Sequence, residues 1–268
     1  MDSTTATSPS LIKTYSIAAL LFIASFAVLF AYTSAALETS LLNAPQDISQ
    51  SGWAVVIFFD ASFGAVFAVY YLFVRNGPSV ACIPAKLFAF LWPFISNFAL
   101  LWYVAYMILL HKDLRSALIP YSTAEANGQV PMRTQRNRRT AQIVASIASF
   151  LFFVIVVLDI NAMRYESFST AWTKLLSNQN KWITFTYADS LAGLLFTAIY
   201  IIEREGGPSP TSVLWAVALL VLGNAVTCVY VFLMALQAIS EDVPITHVLL
   251  SSRKTIAMAQ LMDEQTPL

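Results

Sequence analysis

Apolar residues in this chain come in long unbroken runs rather than in narrow stripes. Six runs stand out, at residues 14–37, 52–74, 86–110, 141–163, 182–203 and 211–238. A run of about 18 or more apolar residues crosses the hydrocarbon core of a bilayer as a helix. A helix on the core of a water-soluble protein keeps a polar face, and these runs have none. A closed β-barrel needs alternating strands of about ten residues, a pattern that is absent. The predicted fold is an all-α polytopic membrane protein with six transmembrane helices.

The main polar connection, His111 to Thr140, lies between the third and fourth runs and contains "EANGQVPMRTQRNRRT". It divides the chain into a first three-helix unit (1–111), a basic linker (112–140), a second three-helix unit (141–240) and a polar tail (241–268). The two units resemble each other. "WAVVIFFDASFGAVFAVYYLFVRNGP" from Trp53 aligns with "WITFTYADSLAGLLFTAIYIIEREGG" from Trp182 at a constant offset of 129, with seven of 26 positions identical. The identities include Asp60/Asp189, Gly64/Gly193, Phe67/Phe196, Tyr71/Tyr200 and Arg75/Arg204, spaced as one face of a helix. In the third runs, Asn97 and Tyr103 match Asn224 and Tyr230; at the end of the first runs, Glu38 matches Glu166.

Three crossings per unit would insert the second unit upside down. The expected arrangement is therefore two repeats of inverted topology about an axis in the membrane plane. With six crossings, Lys and Arg divide eight against seven between the two sides, and the positive-inside rule is nearly silent. The arginine cluster of the linker favours a cytosolic central loop; the expected location is an integral, multi-pass membrane position, in the endoplasmic reticulum or another endomembrane if the source is eukaryotic.

Composition narrows the chemistry. The chain has 268 residues, 58% hydrophobic and 11% charged, with zero formal net charge, which gives no electrostatic basis for binding nucleic acid. Cys82 and Cys228 stand alone in or beside apolar runs and read as inert small hydrophobes. His111 and His247 lack ligand-spaced neighbours, so no metal site is expected. No phosphate loop or nucleophile elbow appears, and no cofactor is expected.

The exceptional residues are Asp60 and Asp189. Each lies roughly 5 Å from the middle of its run, and inversion would set them about 10 Å apart in depth. A carboxylate in hydrocarbon is costly unless paired, protonated or wetted. These acids are either interhelical glue, a proton source for a lipophilic substrate, or a proton or cation site of a transporter. Aromatic residues make up 13% of the chain and suit a cationic intermediate. Asp60 and Asp189 are the candidate catalytic residues. Trp53, Tyr71, Asn97, Tyr103, Trp182, Tyr200, Asn224 and Tyr230 are candidate substrate-binding residues. Glu38 and Glu166 are expected at the solvated interface, and Arg75 and Arg204 are expected to snorkel to the membrane boundary.

The run Trp53–x6–Asp60, followed by an apolar helix ending Arg75-Asn76-Gly77, resembles a small three-helix bacterial membrane family of unknown function, here in tandem. The overall plan also resembles the integral-membrane terpene cyclases of fungal meroterpenoid pathways, which are compact, aromatic-rich and metal-free. That resemblance implies protonation of an isoprenoid alkene or epoxide by intramembrane carboxylates, placed here at Asp60 and Asp189, with Glu38 and Glu166 as weaker candidates. The alternatives are a small-molecule or proton-coupled transporter and a non-enzymatic scaffold. Expected partners are membrane lipids and a lipophilic small molecule, with association into a homo-oligomer left open.

Overall fold

A computed structural model describes residues 9–39, 41–76, 97, 100–119, 135–177 and 180–252, and these are helical with no strand among them. Among the described residues four helices are long and apolar enough to cross a membrane: α1 (Pro9–Glu38), α3 (Gly52–Asn76), α6 (Gln135–Tyr165) and α8 (Lys181–Arg204). Shorter helices are α2 (Ala44–Ile48), α4 (Leu100–His111), α5 (Leu114–Leu118), α7 (Phe168–Ser177), α9 (Pro210–Leu222), α10 (Asn224–Ser240) and α11 (Ile245–Leu250). In α8 56% of the most apolar stretch is buried and in α3 44%, against 28% in α1 and 17% in α6. The two helices that carry the aspartates are thus central, and the other two present their apolar sides outward.

Local chemistry sets the helix ends. The Asn180 side chain accepts from the N–H groups of Trp182 and Ile183 and starts α8. After Arg204, "EGGPSPTS" stops α8 and begins α9. Gly206 and Gly207 take φ values of 92° and 104°, a region open to glycine. Ser209 and Ser212 then form a reciprocal cap with Pro210 in the first helical turn.

Contacts at the two ends fix the helix directions. At one end, the Trp face, Trp182 Nε1 donates to Thr39 Oγ1 at 2.6 Å and Asn180 Nδ2 to the Asp47 carbonyl at 2.9 Å. There too Trp53 Nε1 donates to the Glu166 carbonyl at 3.0 Å. At the other end, the Arg face, Lys13 pairs with Glu203 and the Tyr71 hydroxyl donates to the Leu118 carbonyl. Helices α3 and α8 therefore both start at the Trp face and run the same way, while α1 and α6 oppose them. This overturns the expected inversion of the two halves.

The cause is the third apolar run of each half. The run at 211–238 is not one helix: it breaks at Gly223, where φ is 62°. Both arms belong to the Arg-face end. α9 begins just after Arg204, and α10 returns Tyr230 and Gln237 to bond that same Arg204. Trp215 and Tyr230 meet edge to face at 5.2 Å across the two arms. In the first half α4 is the returning arm, ending with His111 Nε2 3.1 Å from Arg75 Nη2. The earlier part of the run at 86–110 lies outside the described residues. In the second half the described chain runs along α6, back along α8 and then turns at Gly223, so both ends of its third run lie at the Arg face.

Between α3 and α8 the core is a stack of rings. Phe67 meets Tyr200 at 5.6 Å, Tyr71 meets Phe196 at 5.7 Å, and Tyr71 meets Tyr200 at 5.2 Å. Tyr71 meets its counterpart Tyr200 directly, and each phenylalanine packs on the tyrosine of the other half.

Candidate functional site

Asp60 and Asp189 each lie about 12 Å along their helix from the Trp-face end, so they sit at one level rather than about 10 Å apart in depth. Each is 7% exposed. Neither faces the other. Asp60 Oδ1 accepts from the backbone N–H of Asn224 at 2.8 Å and Oδ2 from Asn224 Nδ2 at 3.1 Å. The same Nδ2 reaches the Asp60 carbonyl at 2.9 Å. Asn224 is the first residue of α10, so its N–H has no partner within the helix. A carboxylate from the opposite half caps that end.

The second aspartate repeats the arrangement with the halves exchanged. Asp189 Oδ1 accepts from the Asn97 N–H at 2.6 Å and Oδ2 from Asn97 Nδ2 at 3.1 Å, and Nδ2 also reaches the Asp189 carbonyl at 3.0 Å. Asn97 is helical and lies one turn before Leu100, the first residue of the described part of α4. Hydrogen bonds to a charged group contribute about 1.5–3 kcal/mol each, and a helix N-terminus adds about 0.3–1 kcal/mol. The aspartates are thus two crossed clamps between the halves.

The glycine one turn beyond each aspartate makes room for the asparagine. A Cβ on Gly64 would stand 2.6 Å from Asn224 Nδ2 and Oδ1, and one on Gly193 would stand 3.1 Å from Asn97 Nδ2. A Cβ on Gly223 would meet Asp60 Oδ2 at 2.8 Å. The repeated Asp–x3–Gly is therefore a socket, and the repeated Asn is what fills it. The halves differ in one detail. Asn224 Oδ1 accepts from Thr227 Oγ1 at 2.8 Å, whereas buried Asn97 Oδ1, with Leu100 at the matching position, has no hydrogen-bond partner among the described residues.

The other predicted residues divide between the two faces. Trp53 and Trp182 tie helix starts to the neighbouring chain at the Trp face. Tyr71 and Tyr200 donate to the Leu118 and Leu249 carbonyls, and Tyr103 packs half-buried against the core. Tyr230 donates to Glu205 Oε1 at 2.7 Å and accepts from Arg204. Arg204 does not snorkel. It is 2% exposed and bonds Val248, Glu205, Tyr230 and Gln237, which satisfy its donors inside the protein. Arg75 makes the equivalent backbone bond to Ala117. His247 is buried in α11, and Cys228 is a buried free thiol; Cys82 lies outside the described residues.

Of the two glutamates, Glu38 has a half-exposed side chain, as expected, but Glu166 does not. Glu166 accepts from Ser51 Oγ at 2.8 Å and pairs with Lys174 at 2.7 Å. Burial opposes its ionisation, but Lys174, Ser51 and the Trp53 N–H outweigh burial and hold this carboxyl below the usual range.

One acid escaped the sequence comparison. Asp159, in α6, lies half-buried within electrostatic reach of Asp60, six residues or about 9 Å from the Trp-face end. No hydrogen-bond donor holds it among the described residues. Nearby on α6 and α3, Phe63, Leu151 and Phe152 pack around Ile155, Ala225 and Cys228, while Phe59 contacts Phe63 at 6.4 Å. The signal was present as the only charge inside the run at 141–163, but the first half has Ala31 at the matching position. No family model, curated protein or solved structure matches the chain.

Proposed function

We propose that the protein is a four-span membrane protein made of two copies of one unit, each with two crossing helices and a half-membrane hairpin, related by a two-fold axis along the membrane normal. Within this frame it acts as a metal-independent isoprenoid cyclase or isomerase. Asp159 gives its proton to an alkene carbon or epoxide oxygen of a substrate arriving sideways from the bilayer. The nearby phenylalanines face the resulting carbocation, and loss of a proton from an adjacent carbon to the same carboxylate closes the cycle. Asp60, held by Asn224, and Asp189, held by Asn97, position the helices.

The observation that carries this reading is a carboxyl group that has no hydrogen-bonded partner among the described residues, at hydrocarbon depth, beside a second acid and a cluster of rings. An intramembrane ionisable group is a functional candidate by default. The test is turnover of a polyprenyl alkene and its terminal epoxide by purified protein in nanodiscs. Asp159→Asn abolishes turnover and keeps the wild-type melting temperature. Turnover by that variant at the wild-type rate would refute the assignment.

A second reading, proton-coupled transport of a small solute, is favoured by the Asn-led helix ends that reach into the membrane interior. Against it, four rings fill the space between α3 and α8. The transport reading requires pH-dependent flux in proteoliposomes. For orientation, among the described residues the four-span arrangement places Lys13, Arg75, Lys112, Arg115, Arg136, Arg138, Arg139 and Arg204 at the Arg face and Arg164, Lys174 and Lys181 at the Trp face. That asymmetry makes the Arg face cytosolic.

A further inference from the structure

A cavity of about 290 Å³ opens at the Trp face between the two halves. Its charged lining is balanced, with Glu38 and Asp47 from the first half and Lys174 and Lys181 from the second. Lys181 Nζ and Glu38 Oε1 stand 3.8 Å apart, too far for a hydrogen bond, so both keep bonding capacity for a third group. Lys174 bonds Glu166 and the Gln50 carbonyl, leaving one of its three protons over. The inner wall is rigid: Trp182, 2% exposed, donates to Thr39, which in turn donates to Asp47 Oδ2 at 3.1 Å.

The level of the cavity is marked by aromatic residues. Tyr32, Trp182 and Phe185 form one cluster, and Trp53, Phe168 and Trp172 another. Such rings collect where hydrocarbon gives way to headgroups. A ligand of net negative charge would meet two carboxylates here, and one of net positive charge two ammonium groups. We infer that the cavity binds a zwitterionic phosphate–ammonium group of the phosphoethanolamine type, with phosphate on Lys181 and Lys174 and ammonium on Glu38 and Asp47. Phosphate accepts several hydrogen bonds and a primary ammonium donates three, which matches the free capacity of the four side chains.

The test is native mass spectrometry of the full-length protein released from nanodiscs holding equal amounts of phosphatidylethanolamine and phosphatidylglycerol. Phosphatidylethanolamine is retained about tenfold over phosphatidylglycerol, and Lys181→Gln or Glu38→Gln each cut retention about tenfold, the effect of one charge-assisted hydrogen bond. Melting temperature in these variants stays within about 2 °C of wild type, because the 3.8 Å pair is too loose to add stability. Competition by millimolar free phosphoethanolamine would identify a soluble source of the same chemistry; its failure to compete assigns the lipid. Equal retention of both lipids, or unchanged retention in both variants, overturns the inference. Asp159→Asn retains the lipid as wild type does, which separates this site from the proposed acid chemistry.

Discussion

Replacing Gly64 by alanine tests the clamp at its tightest point. Alanine is ordinarily the better helix former by about 1 kcal/mol. Here the new methyl would fall 2.6 Å from Asn224 Nδ2 and Oδ1, inside any real contact distance. Asn224 cannot simply rotate away, because its amide donates to Asp60 twice and its oxygen accepts from Thr227. Moving it breaks bonds to a carboxylate and strands buried donors, at about 1.5–3 kcal/mol for each bond to charge. The net expectation for Gly64→Ala is a loss of about 2–4 kcal/mol after the helix-propensity gain. Gly193→Ala meets Asn97 at 3.1 Å, needs only a small shift, and stays within about 1 kcal/mol of wild type. The assay is reversible unfolding in mixed micelles followed by tryptophan fluorescence, run as a double-mutant cycle with Asn224→Ala. On the Asn224→Ala background the clash is gone, and Gly64→Ala becomes stabilising by up to about 1 kcal/mol. The same cost on both backgrounds, or no cost on either, would refute the socket.

Further outcomes follow from the same contacts. Arg204→Lys costs about 3–5 kcal/mol in the same unfolding assay, because a 2% exposed guanidinium serves four partners that an ammonium cannot reach together; Arg75→Lys, on the more exposed counterpart, costs less. Glu166 has a depressed folded-state carboxyl, so its contribution is present above the ordinary glutamate range and is lost as pH falls through the folded value. Melting temperature measured from pH 6 down to pH 3 therefore falls more steeply in wild type than in Glu166→Gln. Asp189→Asn lowers stability by about 1.5–3 kcal/mol through the Asn97 bonds, read as a lower melting temperature.

The helices themselves were legible because hydrocarbon solvent demands long apolar runs, and four of the six runs match full-length helices closely. The second-half third run was misread as a crossing because its two arms together are long enough to span. Gly223-Asn224 at its centre is a turn signal that overrides length when an outside acceptor takes the freed N–H. The internal comparison singled out Asp60, Gly64 and Asn224 with their counterparts, the residues that meet in the structure. It could not reveal that the socket belongs to one half and its occupant to the other, because that pairing is non-local. Asp159 and Thr227 were invisible to the comparison for the opposite reason: Ala31 and Leu100 hold the matching positions, so these polar groups break the likeness instead of sharing it. Arg204 was misplaced because its partners, Val248, Tyr230 and Gln237, arrive from later helices.

Sided labelling of single cysteines, with Cys82 and Cys228 replaced by alanine, tests the arrangement most directly. Lys112→Cys directly follows α4 and Ser240→Cys ends α10, while Ser177→Cys ends α7 at the Trp face. In oriented vesicles, a membrane-impermeant maleimide labels positions 112 and 240 from one side and position 177 from the other. Labelling of 112 and 240 from opposite sides would mean that the third run of a half crosses completely, and the crossed clamps at a common depth would be contradicted.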